Sequence, residues 1–221
     1  MTEPKPSADL LWMIFDRLHN RYGDLHWWPG ETPFEIIVGA ILTQNTNWKN
    51  VERAIENLKQ QDVLSPAELY NTEEAILAAW IRPSGYYRVK TARLKAFVHF
   101  LFVNYAGELD RMFSEEPRML RKKLLGVQGI GEETADSILL YAGGKPIFVV
   151  DAYTRRILQR HELIGPEARY GDIQAFFMER LPSDVPLFNQ YHALLVNAGK
   201  QFCRKKPLCD ACPLKDLPTS P

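Results

Sequence analysis

The chain is predicted to be all-α, on three observations: apolar residues recur at helical spacing along most of it, strand signals are nearly absent, and prolines punctuate the periodic runs. Leu10, Leu11, Ile14 and Leu18 form one apolar stripe, Phe34, Ile37 and Ile41 a second, and Val51, Ile55 and Leu58 a third. Further helices are expected over 73–81, 87–104, 117–125, 132–142, 151–161, 170–180 and 188–200, with Pro83, Pro117, Pro146, Pro166 and Pro182 as breaks. Ile147 to Val150 is partly β-branched, but four residues between helical runs read as a buried connector rather than a sheet. There is no internal repeat.

With 221 residues and 46% apolar content, the chain can bury one substantial core or two small ones. No apolar run approaches a membrane span, and MTEPKPSADLL lacks a signal core, so a cytoplasmic, nucleoid-associated protein is expected. All three cysteines lie near the C-terminus, an odd set that argues against a secreted disulfide framework and for a metal site. The formal net charge is zero, but the signs are segregated. RPSGYYRVKTARLK, residues 82–95, holds five basic residues and no acid, and Arg121-Lys122-Lys123, Arg155-Arg156 and Arg204-Lys205-Lys206 add further clusters. Such segregation allows one basic face for phosphates; ordinary solvated helix faces are the plainer reading of any single cluster.

Leu124 to Asp151 carries the most specific signal: a Gly129-Ile130-Gly131 turn between helical segments, followed by the apolar run Ile147 to Val150 and then Asp151. Glycines there can take backbone angles barred to other residues and let amides approach an anionic oxygen, with the N-terminus of the next helix adding positive potential. Glycine at a turn also simply ends helices. Asp151 stands where a helix N-cap is expected, and a carboxylate fixed by a cap is also placed to act on developing positive charge.

With Val127 to Ala135 as hairpin and Val149-Val150-Asp151 as aspartate segment, the chain resembles the helix-hairpin-helix (HhH-GPD) DNA glycosylases of the endonuclease III superfamily, over roughly Leu10 to Leu217. The resemblance implies two helical domains flanking a DNA-binding cleft: a six-helix domain over 30–139 with the hairpin, and a discontinuous one, 1–29 plus 140–221, with the catalytic Asp151 and the cysteine loop. It also implies DNA contacts by Gln44, in Leu42-Thr43-Gln44-Asn45-Thr46, which would fill the gap left by an extruded base, by Ser84, Gly85 and Tyr86 as a wedge on the opposite strand, and by Gly129, Ile130 and Gly131. Trp27, Pro29 and Trp48 are expected to stack on the base, with Glu133 at the pocket; a Trp-Trp pair is by itself more often core.

Bifunctional members of the superfamily carry a lysine where this chain has Glu133, and a carboxylate cannot form a Schiff base. Together with Trp27-Trp28-Pro29 and Arg82 to Tyr87, that departure resembles the 3-methyladenine glycosylase III branch. The expected activity is therefore a monofunctional DNA N-glycosylase, acting as a monomer on double-stranded DNA with alkylated purines. Excision of oxidised or mismatched bases, and non-catalytic binding of DNA structures, are the alternatives. Cys203-x5-Cys209-x2-Cys212 resembles the family's 4Fe-4S iron-sulfur loop, but the fourth cysteine is missing and position 218 is proline. An iron-sulfur cluster with an outside, non-cysteine or absent fourth ligand is favoured over zinc with His192, or over no metal.

Overall fold

Local capping explains half of the helix starts in the computed structural model, which describes residues 8–25, 27–28 and 30–217. Among them are twelve α-helices: α1 (Ala8–Tyr22), α2 (Pro33–Leu42), α3 (Trp48–Gln60), α4 (Pro66–Asn71), α5 (Glu74–Trp80), α6 (Tyr87–Tyr105), α7 (Leu109–Phe113), α8 (Pro117–Leu125), α9 (Glu132–Ser137), α10 (Ala152–Arg160), α11 (Tyr170–Met178) and α12 (Val185–Gln201). Thr32, Asn47, Ser65, Glu116, Asp151 and Asp184 each cap a helix by accepting a bond from a first-turn amide. Proline occupies the first turn of α2, α4, α8 and α12, where its missing N–H costs nothing. No described residue is in a strand, and no described helix is long and apolar enough to cross a membrane.

The fold is all-α, as the periodicity predicts, with two differences. The short helices α4 and α7 each bury a single apolar residue, Leu69 and Met112, and so lack a periodic stripe. The helix expected over 132–142 is α9 followed by a π-helical turn, Ile138–Ala142. Such turns add a residue to the helical repeat and so re-aim their side chains.

The chain divides into two compact units, Met1–Trp27 with Pro146–Pro221, and Trp28–Lys145. In the first, Phe148, Phe177, Phe188 and Tyr191 are fully buried. Phe148 stacks on Phe177 at 3.8 Å, and Tyr191 donates its hydroxyl to Leu11 O (2.8 Å). The connector is buried over 148–150 without strand pairing, so side chains meet its backbone groups: Gln174 donates to Phe148 O (2.7 Å), and Val150 N donates to the Tyr170 hydroxyl (3.3 Å). In the second unit, α2 and α6 lie at the centre, burying Ile37, Ile41, Leu42, Leu94, Phe97 and Leu101.

Candidate functional site

Asp151 is held by its own helix. Its Oδ1 accepts from Thr154 N (2.7 Å), and its side chain is 10% exposed, which keeps a carboxylate poorly hydrated and in one orientation. His192 Nε2 on α12 lies 3.9 Å from the same oxygen. Burial pushes the His192 imidazole down, against the opposing pull of Asp151, and Lys200 lowers it further. Lys200, also on α12, is lowered by burial while Asp151 acts to raise it; its ammonium lies 5.4 Å from the centre of the Trp27 ring. α10 meets α12 at Gly199, where a Cβ would come within 2.5 Å of the Tyr153 ring. A side chain at 199 would force Tyr153, in the first turn of α10, or α12 itself to shift.

Aromatic rings gather in the other unit. Trp28 meets Trp48 edge-on at 5.3 Å and lies against Tyr141 at 4.9 Å. All three are only half-buried, unlike core aromatics. Gly39 on α2 makes room for them, since its Cβ would stand 3.4 Å from both indoles. The Trp48 Nε1–H is buried and finds no acceptor among the described residues, and such donors are uncommon enough to mark functional sites. Thus Trp48 pairs with Trp28, whereas Trp27 belongs to the first unit beside Lys200. Pro29 lies outside the described residues. Tyr141, which lies in the π-helical turn, is not foreseen from the sequence.

The hairpin joins α8 and α9, which are locked by Arg121 donating through Nε (2.6 Å) and Nη2 (2.9 Å) to the buried Asp136 carboxylate. Gly129 has φ +83°, and a Cβ there would run into the Arg93 side chain. Gly131 is extended (φ −92°, ψ −177°), so its use is spatial: among the described residues, nothing beyond its chain neighbours stands within 4 Å of where its Cβ would be. Ile130 is buried beneath the turn, and Glu133 is exposed in the first turn of α9.

Gln44 is tied to this hairpin. Its Nε2 donates to Gly129 O (3.1 Å) and Thr134 Oγ1 (2.9 Å), and its Oε1 accepts from Arg93. The next residue, Asn45, is left-handed (φ 54°). The 82–86 turn likewise ends left-handed, at Gly85 (φ 68°) and Tyr86 (φ 45°), and leaves Tyr86 72% exposed. A tyrosine in that conformation is uncommon and needs support from around it. Ser84, expected to touch DNA, is instead fully buried, its hydroxyl donating to Ile81 O (2.7 Å) and shaping the turn from inside.

The basic run over 82–95 is less of a surface than its charge implies. Lys90 is buried, Arg93 bonds Gln44, and Lys95 donates to Leu69 O (2.9 Å) and Tyr70 O (2.8 Å) at the end of α4. Arg82 and Arg88 remain exposed. Arg121, Arg155 and Arg156 are likewise engaged internally, whereas Arg204, Lys205 and Lys206 are exposed.

Cys203, Cys209 and Cys212 line one cavity of about 90 Å³ with Ile157, Arg160 and His161. Burial raises the Cys212 thiol, and Cys203 and Cys209 raise it further, as facing sulfurs do. Arg160 Nη1 donates to Cys203 Sγ (3.2 Å) and Arg204 O (2.6 Å), pinning the loop. His192, the histidine nearest in sequence, is not at this cavity; His161 is. Three thiols meet part of a four-thiolate demand, the chain has no fourth cysteine, and among the described residues no set of three or more His, Cys, Asp or Glu is arranged to hold a metal ion.

The family model for HhH-GPD superfamily base excision DNA repair proteins matches residues 38–183. A protein of Methanocaldococcus jannaschii provisionally named as a DNA repair glycosylase is 47% identical over 211 residues, covering 95% of this chain and 96% of that one. The endonuclease III of Sulfolobus acidocaldarius is 28% identical over 83% of this chain and 80% of its own. Among solved structures, H. pylori 3-methyladenine DNA glycosylase bound to 1,N6-ethenoadenine is similar with a TM-score of 0.76 at 28% identity, covering 89% of this chain and 98% of that one. An endonuclease III trapped covalently on DNA is similar in fold, with a TM-score of 0.82 at 21% identity over 96% and 95% of the two chains.

Proposed function

Because the chain belongs to the HhH-GPD superfamily of base excision DNA repair proteins, we propose that it is a monofunctional DNA glycosylase that flips alkylated purines such as 3-methyladenine out of double-stranded DNA and hydrolyses their N-glycosidic bond. The single observation that carries this reading is the capped, poorly hydrated carboxylate of Asp151. As the bond to the base breaks, its electron pair leaves with the base and positive charge builds on the sugar. An anion held beside C1′ stabilises that charge and orients the water that adds there; the water's proton passes to the carboxylate or to solvent. The abasic site remains in an intact strand. A 3-alkylated purine is cationic, so it departs neutral and needs little acid help.

The aromatic faces of Trp28, Trp48 and Tyr141 suit a cationic base, and the similarity to a 3-methyladenine glycosylase supports the same substrate class. In this reading Gln44 and Tyr86 enter the duplex, the Gly129-Ile130-Gly131 turn holds a phosphate through its amides, and Glu133 leaves the hairpin without the amine that strand cleavage requires. The protein is incubated with alkylated duplex DNA and the released bases are separated by chromatography. Release of 3-methyladenine is expected; release of only oxidised or mismatched bases, or of none, overturns the substrate class or the enzyme reading respectively. Borohydride in the reaction is expected to trap nothing, and a covalent adduct would point to Lys200, the amine that burial lowers beside Asp151.

Cys203, Cys209 and Cys212 line one cavity without being arranged to hold a metal ion, so the iron-sulfur cluster that the same reading assigns to them would need this loop to rearrange, with three thiolates from these cysteines and a fourth ligand from outside them. When bound it would brace the Arg204-Lys205-Lys206 loop. Iron and sulfide are expected in anaerobically purified protein and lost in Cys209→Ser; iron-free wild type overturns the assignment.

A further inference from the structure

Lys90 is 1% exposed, and the proposed reaction makes no use of it. An ammonium in a core is costly unless it is bonded, and burial, with Arg93 adding to it, pushes this one down to about 8. Its Nζ donates to Leu42 O (2.8 Å) and Ser84 O (2.7 Å). Both carbonyls end helical segments, α2 and the 3-10 turn Arg82–Ser84, where the helix supplies no partner of its own. Beyond each the chain turns left-handed, at Asn45 and at Gly85 and Tyr86. Gln44 and Tyr86 therefore each stand two residues past a carbonyl that Lys90 holds. One helical turn along α6, Arg93 bonds the Gln44 side chain and lies against Gly129 of the hairpin.

We propose that Lys90 is a positioning residue: by bonding Leu42 O and Ser84 O together it fixes the spacing of the two turns, so that Gln44 and Tyr86 enter a duplex as one rigid wedge. The proposal rests on the base-extruding reading and adds to it a residue that touches neither DNA nor base. A methionine of similar length would fill the same space and leave the two turns to move independently.

The test compares wild type with Lys90→Met on two end-labelled duplexes, one intact and one with a single tetrahydrofuran abasic analogue, 2-aminopurine beside the analogue reporting unstacking. Thermal unfolding establishes that the variant is folded. Preference for the abasic duplex is expected to fall at least about tenfold, the scale of misplacing a positioned group, with a weaker 2-aminopurine signal and intact-duplex affinity nearly unchanged. A folded variant with wild-type preference and signal overturns the proposal. If methionine prevents folding, Lys90→Gln, too short to reach both carbonyls, is read by the same ratio, and an unchanged ratio again overturns it. Failure of both variants to fold assigns Lys90 to core stability and also counts against a wedge. Wild type that prefers the abasic duplex but releases no base would remove the glycosylase reading while leaving this test valid.

Discussion

Asp151 is oriented by an amide three residues along its own chain, Thr154 N, whereas Gln44 is oriented by groups 49, 85 and 90 residues away, on Arg93, Gly129 and Thr134. A cap of the first kind forms with its helix and survives any substitution that keeps a side-chain acceptor. A net of the second kind exists only once α2, α6 and the hairpin have packed, and it depends on residues that carry no chemistry, such as Gly129 and Lys90. In this protein the group assigned to catalysis is locally secured and the group assigned to DNA entry is secured at long range.

The largest expected effect sharpens the local half of that comparison. Asparagine caps helices as well as aspartate, so Asp151→Asn should leave the unfolding free energy nearly unchanged while base release in single turnover falls about 10²–10³-fold, the usual loss for one positioned electrostatic group. Equal release by the variant would reduce Asp151 to a cap. Next comes the buried ammonium. Between about 8 and the ordinary lysine value the unfolded chain keeps a proton that folded Lys90 has released, so this group makes stability rise with pH through that window and adds nothing below it. Urea unfolding at the two ends of the window should show an increment of up to about 3 kcal/mol in wild type that is missing from Lys90→Met. Identical pH slopes in the two proteins would contradict the shift.

Smaller effects separate the two glycines. Gly129→Ala places a side chain at φ +83° against Arg93 and should cost about 1 to 2 kcal/mol, with weakened DNA binding. Gly131→Ala, in extended backbone with open space around it, should change stability by less than about 0.5 kcal/mol. Any loss of DNA affinity there reports on phosphate approach alone. Equal unfolding free energies for the two variants would break the distinction between a glycine needed for its angle and one needed for its bareness.

Much of this was readable from the residue order. The stripes at Leu10 to Leu18, Phe34 to Ile41 and Val51 to Leu58 became α1, α2 and α3, and the aspartate before Ala152 caps α10. The 82–95 run was the least readable. Charge there predicts a phosphate face, but Lys90 and Lys95 turn inward because unpaired carbonyls at the ends of α2, the 82–84 turn and α4 need donors. Sequence order cannot reveal which distant helix ends lack one. Trp27 and Trp28 are adjacent in sequence yet fall in different units, a division that no two-residue pattern announces.

By itself the residue order determined most of the helices and the placement of one capping carboxylate at a helix start, because these depend on interactions within a few residues of chain. Tertiary structure decided which cations face inward, that Tyr141 lies against Trp28 beside Trp48, and that Gln44 is held by the hairpin. Those outcomes depend on satisfying buried polar groups and filling space between segments far apart in sequence, conditions that arise only after the helices have packed.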